Sequence, residues 1–120
     1  MTKELVPYLK LIEFLGQILD HSYSIELYDG EDLSKPVASV NYKADASHPK
    51  MAKEIMESSF LKSSDYFVSS NKETDARKKA SYLFIKNDDG AAIGLLAVYE
   101  DRERLYPVRN LFENLVLMGD

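Results

Sequence analysis

"KKASYLFIKNDDGAAIGLLAVYED", residues 78–101, reads as two strands that meet at Asn87-Asp88-Asp89-Gly90. Asn and Asp side chains bond readily to their own backbone and glycine accepts a positive φ, so the spacing predicts a type I turn closed by a glycine bulge. Continued outward from that turn, the register sets Leu83 opposite Leu95 and Ile85 opposite Ile93 on one face. It sets Tyr82 opposite Leu96 and Phe84 opposite Gly94 on the other. Both faces are apolar. A sheet with one wet face alternates apolar and polar residues, so this hairpin is expected at the centre of a sheet covered on both sides.

The segments before the hairpin supply the covers. In the first one, Lys3, Lys10, Glu13, Gln17 and Asp20 form a narrow polar stripe at helical spacing. Leu5, Tyr8, Leu9, Ile12, Leu15 and Leu19 form an apolar face that Leu11, Phe14 and Ile18 widen beyond what one contact needs. A helix over about 4–20 is expected, either with two partners, its own sheet and a second subunit, or with one broad contact inside the chain. Tyr23 to Asp29 alternates as a strand, with Tyr23, Ile25 and Leu27 on one face and Ser24, Glu26 and Tyr28 on the other. Val37 to Tyr42 is a second strand. Pro49 then opens a helix capped by Ser47 or His48, with Ala52, Ile55, Met56, Ser59 and Phe60 as its buried stripe. A third strand is expected near Tyr66 to Ser69. After Asp101, Val108, Leu111, Phe112, Leu115 and Met118 predict a helix over about 104–118. The order is helix, two strands, helix, three strands, helix, with the core over about 22–101. It predicts one α+β domain built on a five-stranded antiparallel sheet with helices on both faces.

Composition narrows the function. The 120 residues carry a net charge of −5 with the basic residues scattered, and Arg77-Lys78-Lys79 is the one basic run, which argues against nucleic acid as a direct partner. The chain has no cysteine, which removes disulfides, zinc-thiolate centres and cysteine nucleophiles. Its opening stretch has acids inside the apolar run and no small-residue cleavage site, so neither a signal peptide nor a membrane span is expected, and the cytoplasm is the expected setting.

Little points to catalysis. His21 and His48 fall at a helix end and a helix start, where a cap or an exposed ring is the simpler reading. Asp29-Gly30-Glu31-Asp32 is too short for a calcium loop and reads as a turn. No metal is expected and no residue pattern names a cofactor. Glu26 and Tyr28 nevertheless share a face of the first strand, and Tyr82 sits on a central one, so polar groups in a covered sheet would need partners. Either this face is open to solvent or its polar groups bond to backbone, or they outline a small-molecule pocket under the middle helix, lined by Glu26, Tyr28, Tyr82, Phe84, Leu96 and Val98.

Several stretches together resemble the YheO-like PAS sensor family, the amino-terminal domain of a group of bacterial transcriptional regulators. "LVPYLKLIEFLGQIL" is similar to its opening helix with Gly16, "SIELYD" to its first strand, Asn41 to a residue after its second strand, and "FIKNDDGAAIGLLAV" to its Phe-Ile-Lys-Asp-x-x-Gly-x-x-Ile-Gly-x-Leu. The resemblance implies a PAS fold that encloses a possible small-molecule pocket. With the thin catalytic inventory, the leading expectation is a sensor without enzymatic activity that signals through its terminal helices and the contacts of a homodimer. It also implies a DNA-binding domain following in longer members. The chain departs from the family in "KADASHPK", in Tyr28 where the family has His, in Ala80 and Tyr82 at polar positions, and in Tyr99 where the family has Asn. The alternative expectation is a ligand-free dimerisation scaffold of the roadblock or profilin-like kind, which shares the element order.

Overall fold

The computed structural model describes residues 1–42, 45–70 and 78–101. The expected C-terminal helix over about 104–118 lies outside the described residues, as does Arg77. A 3-10 turn, Lys3–Leu5, leads into helix α1 (Val6–Ile18), strands β1 (Tyr23–Asp29) and β2 (Ala38–Val40), helices α2 (Ser47–Glu57) and α3 (Ser59–Lys62), and strands β3 (Tyr66–Ser70), β4 (Lys78–Lys86) and β5 (Ala92–Asp101). The five strands form one antiparallel sheet in the order β2-β1-β5-β4-β3. This is a PAS-like α+β fold, with β5 at the centre of the sheet.

The hairpin turn forms as its residues dictate. Gly90 N–H donates to the Asn87 carbonyl at 2.9 Å, Asn87 N–H to the Ala91 carbonyl at 3.0 Å, and Gly90 takes a φ of +82°. The Asn87 side chain accepts from Asp89 N–H and Ala91 N–H, each at 3.0 Å, which closes the loop. The register beyond the turn differs from the expected one. Lys86 pairs with Ala92, but Ile85 pairs with Gly94, so Ile93 is an extra residue in β5. Every later pair moves by one: Phe84 faces Leu95, Leu83 faces Leu96, Tyr82 faces Ala97 and Ala80 faces Tyr99. A bulge adds one residue to one strand and reverses which face its later side chains occupy.

Gly94 explains why the bulge sits there. A β-carbon on it would come within 2.8 Å of Leu5 Cδ2 and 2.9 Å of the Tyr28 carbonyl. Leu5 is fully buried in that notch, and it anchors the start of α1 to the sheet. The carbonyl of the extra residue is also used, accepting Gly30 N–H at 2.8 Å.

The two faces hold two cores. Under α1, Leu5 and Ile12 pack with Ile25, Leu27, Val40 and Ile85. Under α2, Ala52 and Ile55 pack with Tyr28, Tyr82, Phe84, Leu95 and Ala97. The central hairpin is therefore covered on both sides, and α1 uses the apolar face expected of it.

Helix α2 departs from expectation at both ends. It starts at Ser47, and the preceding Asp45 satisfies its entry, its carboxylate accepting Ser47 N–H at 2.9 Å and the Ser47 hydroxyl at 2.6 Å. It stops at Glu57 because Ser58 turns extended and caps the short α3, accepting Leu61 N–H at 3.1 Å. Phe60 is thereby carried out of the expected buried stripe and is 82% exposed.

A polar clamp holds the amino terminus. Asp29, buried at the end of β1, accepts Thr2 N–H at 2.5 Å, the Thr2 hydroxyl at 2.7 Å and Glu31 N–H at 3.0 Å. Burial alone would raise the Asp29 pKa. The Glu31 and Thr2 donors and the amino-terminal charge outweigh it and hold the carboxyl below its usual range.

Two outcomes test this frame. Gly94→Ala should lower stability by about 1–3 kcal/mol, read as a lower urea midpoint at constant slope, because neither Leu5 nor the Tyr28 carbonyl has room to retreat; an unchanged midpoint would show that the notch is loose. For Asp29 the folded state favours the ionised form, so its contribution is full above the unfolded value of about 3.9 and is lost as pH falls through the lower folded value. Asp29→Asn should therefore flatten the fall of the urea midpoint between about pH 5 and pH 2, and a wild-type slope in the variant would remove Asp29 from the acid transition.

Candidate functional site

Between the first turn of α2 and the sheet lies a cavity of about 330 Å³, lined by Glu26, Asp45, His48, Tyr82 and Tyr99 among others. β1 contributes Glu26 and Tyr28, which point to the same side because they are two apart on a strand. β4 contributes Tyr82 and Phe84, and the bulge turns Leu95, Ala97 and Tyr99 of β5 to this side. β2 is held against β1 by Asn41, whose φ of +51° lets its amide donate to the carbonyls of Asp20 and Tyr23, each at 2.8 Å.

Glu26 is the centre of the site. It is 1% exposed, and its two oxygens are shared between two side chains: Oε1 accepts the Tyr28 hydroxyl at 2.6 Å and Oε2 faces His48 Nδ1 at 3.0 Å. In the tautomer that carries its proton on Nδ1, the ring donates to Oε2. The other ring nitrogen, Nε2, lies 3.5 Å from Asp45 Oδ2. The imidazole lies flat on Tyr99, with ring centres 4.1 Å apart and planes 8° from parallel. Tyr82 meets Tyr99 edge-on at 6.3 Å and is itself stacked by Phe67 at 5.0 Å.

Burial pushes the phenols of Tyr28, Tyr82 and Tyr99 above their ordinary range. The hydrogen bond to Glu26 and its negative charge add to the effect at Tyr28, whereas at Tyr82 a hydrogen bond with Tyr99 opposes it. All three remain neutral at ordinary pH and can donate or accept. His48 thus has a carboxylate on each side of its ring, the buried Glu26 at Nδ1 and the half-exposed Asp45 at Nε2. The arrangement suits recognition by charge and stacking. Among the described residues, no three His, Asp or Glu side chains are placed to hold a metal ion.

Of the residues expected from sequence, Glu26, Tyr28, Tyr82 and Phe84 lie together on the α2 face. Leu96 and Val98 lie on the opposite face, against the α1 core, because of the extra residue at Ile93. Their places beside the cavity are taken by Leu95, Ala97 and Tyr99. His48 was expected as a cap and is instead the main partner of Glu26. The one local signal for its role was Asp45, three residues before it, which shares its end of α2. A larger groove of about 940 Å³ runs along α2 from Pro49 to Glu57, past Asp32, Lys50 and Lys53, but it is open and none of its polar side chains is buried.

No family model matches this chain, and no curated protein sequence does. Among solved structures, the crystal structure of a C-terminal domain from Streptococcus mutans is similar, with 15% identity and a TM-score of 0.49, over 81% of this chain and 89% of that one. No helix among the described residues is long and apolar enough to cross a membrane.

If Glu26 is held as described, removing it leaves a histidine and a buried phenol without their acceptor. Glu26→Ala should cost about 3 kcal/mol, whereas Tyr28→Phe should cost about 1 kcal/mol, both read by urea unfolding. Equal costs would mean that the carboxylate is not the hub.

Proposed function

We propose that this chain is a small-molecule sensor domain of a bacterial regulator, with its ligand bound between α2 and the sheet. The observation that carries the reading is a carboxylate at 1% exposure facing a cavity, with its two partners drawn from the side chains around it. Burying an ion pair is seldom worth more than packing apolar groups of the same size. A scaffold that bound nothing would gain more from a leucine at position 26. A recognition site needs the charge, because a few oriented polar groups in an otherwise apolar wall determine which ligand enters. The likeness of "FIKNDDGAAIGLLAV" to the YheO-like sensors supports the same reading.

The sheet also supplies a route outward. Tyr99 and Ala97 face the cavity, while the alternate residues Val98 and Leu96 face α1. A ligand that favours one position of β5 would shift both sides, to the extent that it binds the two arrangements with different affinities. The outer flank of α1 suits a receiving surface: Leu11, Phe14 and Ile18, spaced by three and four, are 45%, 58% and 60% exposed. This flank favours a homodimer joined through α1, and it is the one feature that would serve the ligand-free scaffold equally well.

Native mass spectrometry of the purified protein separates the readings. The sensor reading expects a dimer that carries a co-purified compound or gains one on incubation with a cell extract. Tyr99→Ala should abolish that mass while leaving the dimer, and Phe14→Glu should give monomers that still bind. A dimer that stays free of ligand under every condition would leave the scaffold standing.

A further inference from the structure

Resting on that reading, the geometry points to the class of ligand: we infer that the cavity takes a planar cation with in-plane N–H donors, a guanidinium, amidinium or imidazolium, which exchanges with the His48 ring. His48 already sits as such a ligand would. Its plane lies on Tyr99 at 4.1 Å, and its two nitrogens point at two different carboxylates, Glu26 at 3.0 Å and Asp45 at 3.5 Å. Asp45 is aimed by Ser47, whose N–H and hydroxyl both bond its other oxygen. Glu26 is aimed by Tyr28. The site is therefore fixed around the occupant and does not depend on it for its shape.

Charge favours a cation over the other classes. Among the described residues the lining holds three carboxylates, Glu26, Asp45 and Glu100, against one lysine, Lys79, beside the two histidines. An anion would meet Glu26 in a buried setting where like charge is poorly screened. A neutral ligand that displaced His48 would strand the same carboxylate. A planar cation restores the in-plane bond to Glu26, places charge beside Asp45 and gains the face of Tyr99, where stacking and cation–π attraction act together. His48 can give way, because it stands on the first turn of α2 with its side chain 24% exposed, and the cavity of about 330 Å³ adjoining it has room for the rest of a small ligand.

Two probe pairs test the inference. Methylguanidinium and methylurea have nearly the same shape and differ in charge. Titrated into the wild-type protein and followed by the ring resonances of His48 and Tyr99, methylguanidinium should bind at least tenfold more tightly, and Glu26→Gln should remove that preference. His48→Gly should open a matching hole, so that imidazole raises its melting temperature by several degrees while leaving the His48→Gly, Glu26→Gln double variant unmoved. Should His48→Gly fail to fold, the wild-type titration decides alone. Equal binding of the two shapes, or a preference for acetate over both, would overturn the inference while leaving a sensor that takes another class. Binding of none of these probes by wild type and no rescue by imidazole would overturn it too, and the extract experiment then decides whether any ligand binds at all.

Discussion

Which side chains of the central strand reach the cavity depends on one extra residue. Between Lys86–Ala92 and Ile85–Gly94 the pairing of β4 with β5 advances by Ile93, and from Leu95 to Tyr99 odd positions face α2 and even positions face α1. Without the bulge, Tyr99 would lie against α1, and His48 would have no ring to stack on. The bulge is made tolerable by the absence of a side chain at Gly94, where Leu5 and the Tyr28 carbonyl fill the space a β-carbon would need. The contact that seats the first helix thus also decides which aromatic residues reach the site.

The second constraint is electrostatic. Glu26 lies in the middle of β1, a strand paired on both sides, so it cannot turn to solvent without breaking the sheet. A carboxylate in that position must be bonded from its own face, and only α2 and the neighbouring strand positions can reach it. Tyr28 and His48 do so. This ties the start of α2 to β1 by a polar contact, while its later turns rest on apolar ones through Ala52 and Ile55. The two ends of α2 are therefore held by different physics, and only the polar end is held by charge.

Much of this was legible from residue patterns alone. The turn at Asn87 to Gly90, the full extent of β1 and the two-sided cover of the hairpin follow from spacing, because turn chemistry and period-two alternation are local. The face of β5 was not. A bulge leaves only a weak trace in sequence, here a β-branched Ile93 before Gly94, and it inverts every later residue, so Leu96 and Val98 exchange places with Leu95, Ala97 and Tyr99. The break after Glu57 was similarly hidden: Ser59 and Phe60 continue the apolar spacing of α2, and only the capping geometry of Ser58 divides them from it. His48 was passed over because its partner is 22 residues away in sequence, a separation that no local pattern spans.

An internal occupant also bears on how such a site would respond. With His48 in place, Glu26 keeps its partner when no ligand is present, and the domain avoids the cost of an uncompensated buried carboxylate. Any ligand must then displace a group held by a charge-assisted hydrogen bond and a stacked ring. Its apparent affinity is the intrinsic one reduced by the fraction of molecules in which His48 has already moved aside. If that fraction is about one in a hundred, a site capable of micromolar binding responds only near 0.1 mM. The complementarity of the pocket then sets which ligand binds, and the strength of the His48 contacts sets the concentration at which it does. Asp45 and Tyr99 bear on the second quantity because each touches the His48 ring that would have to leave.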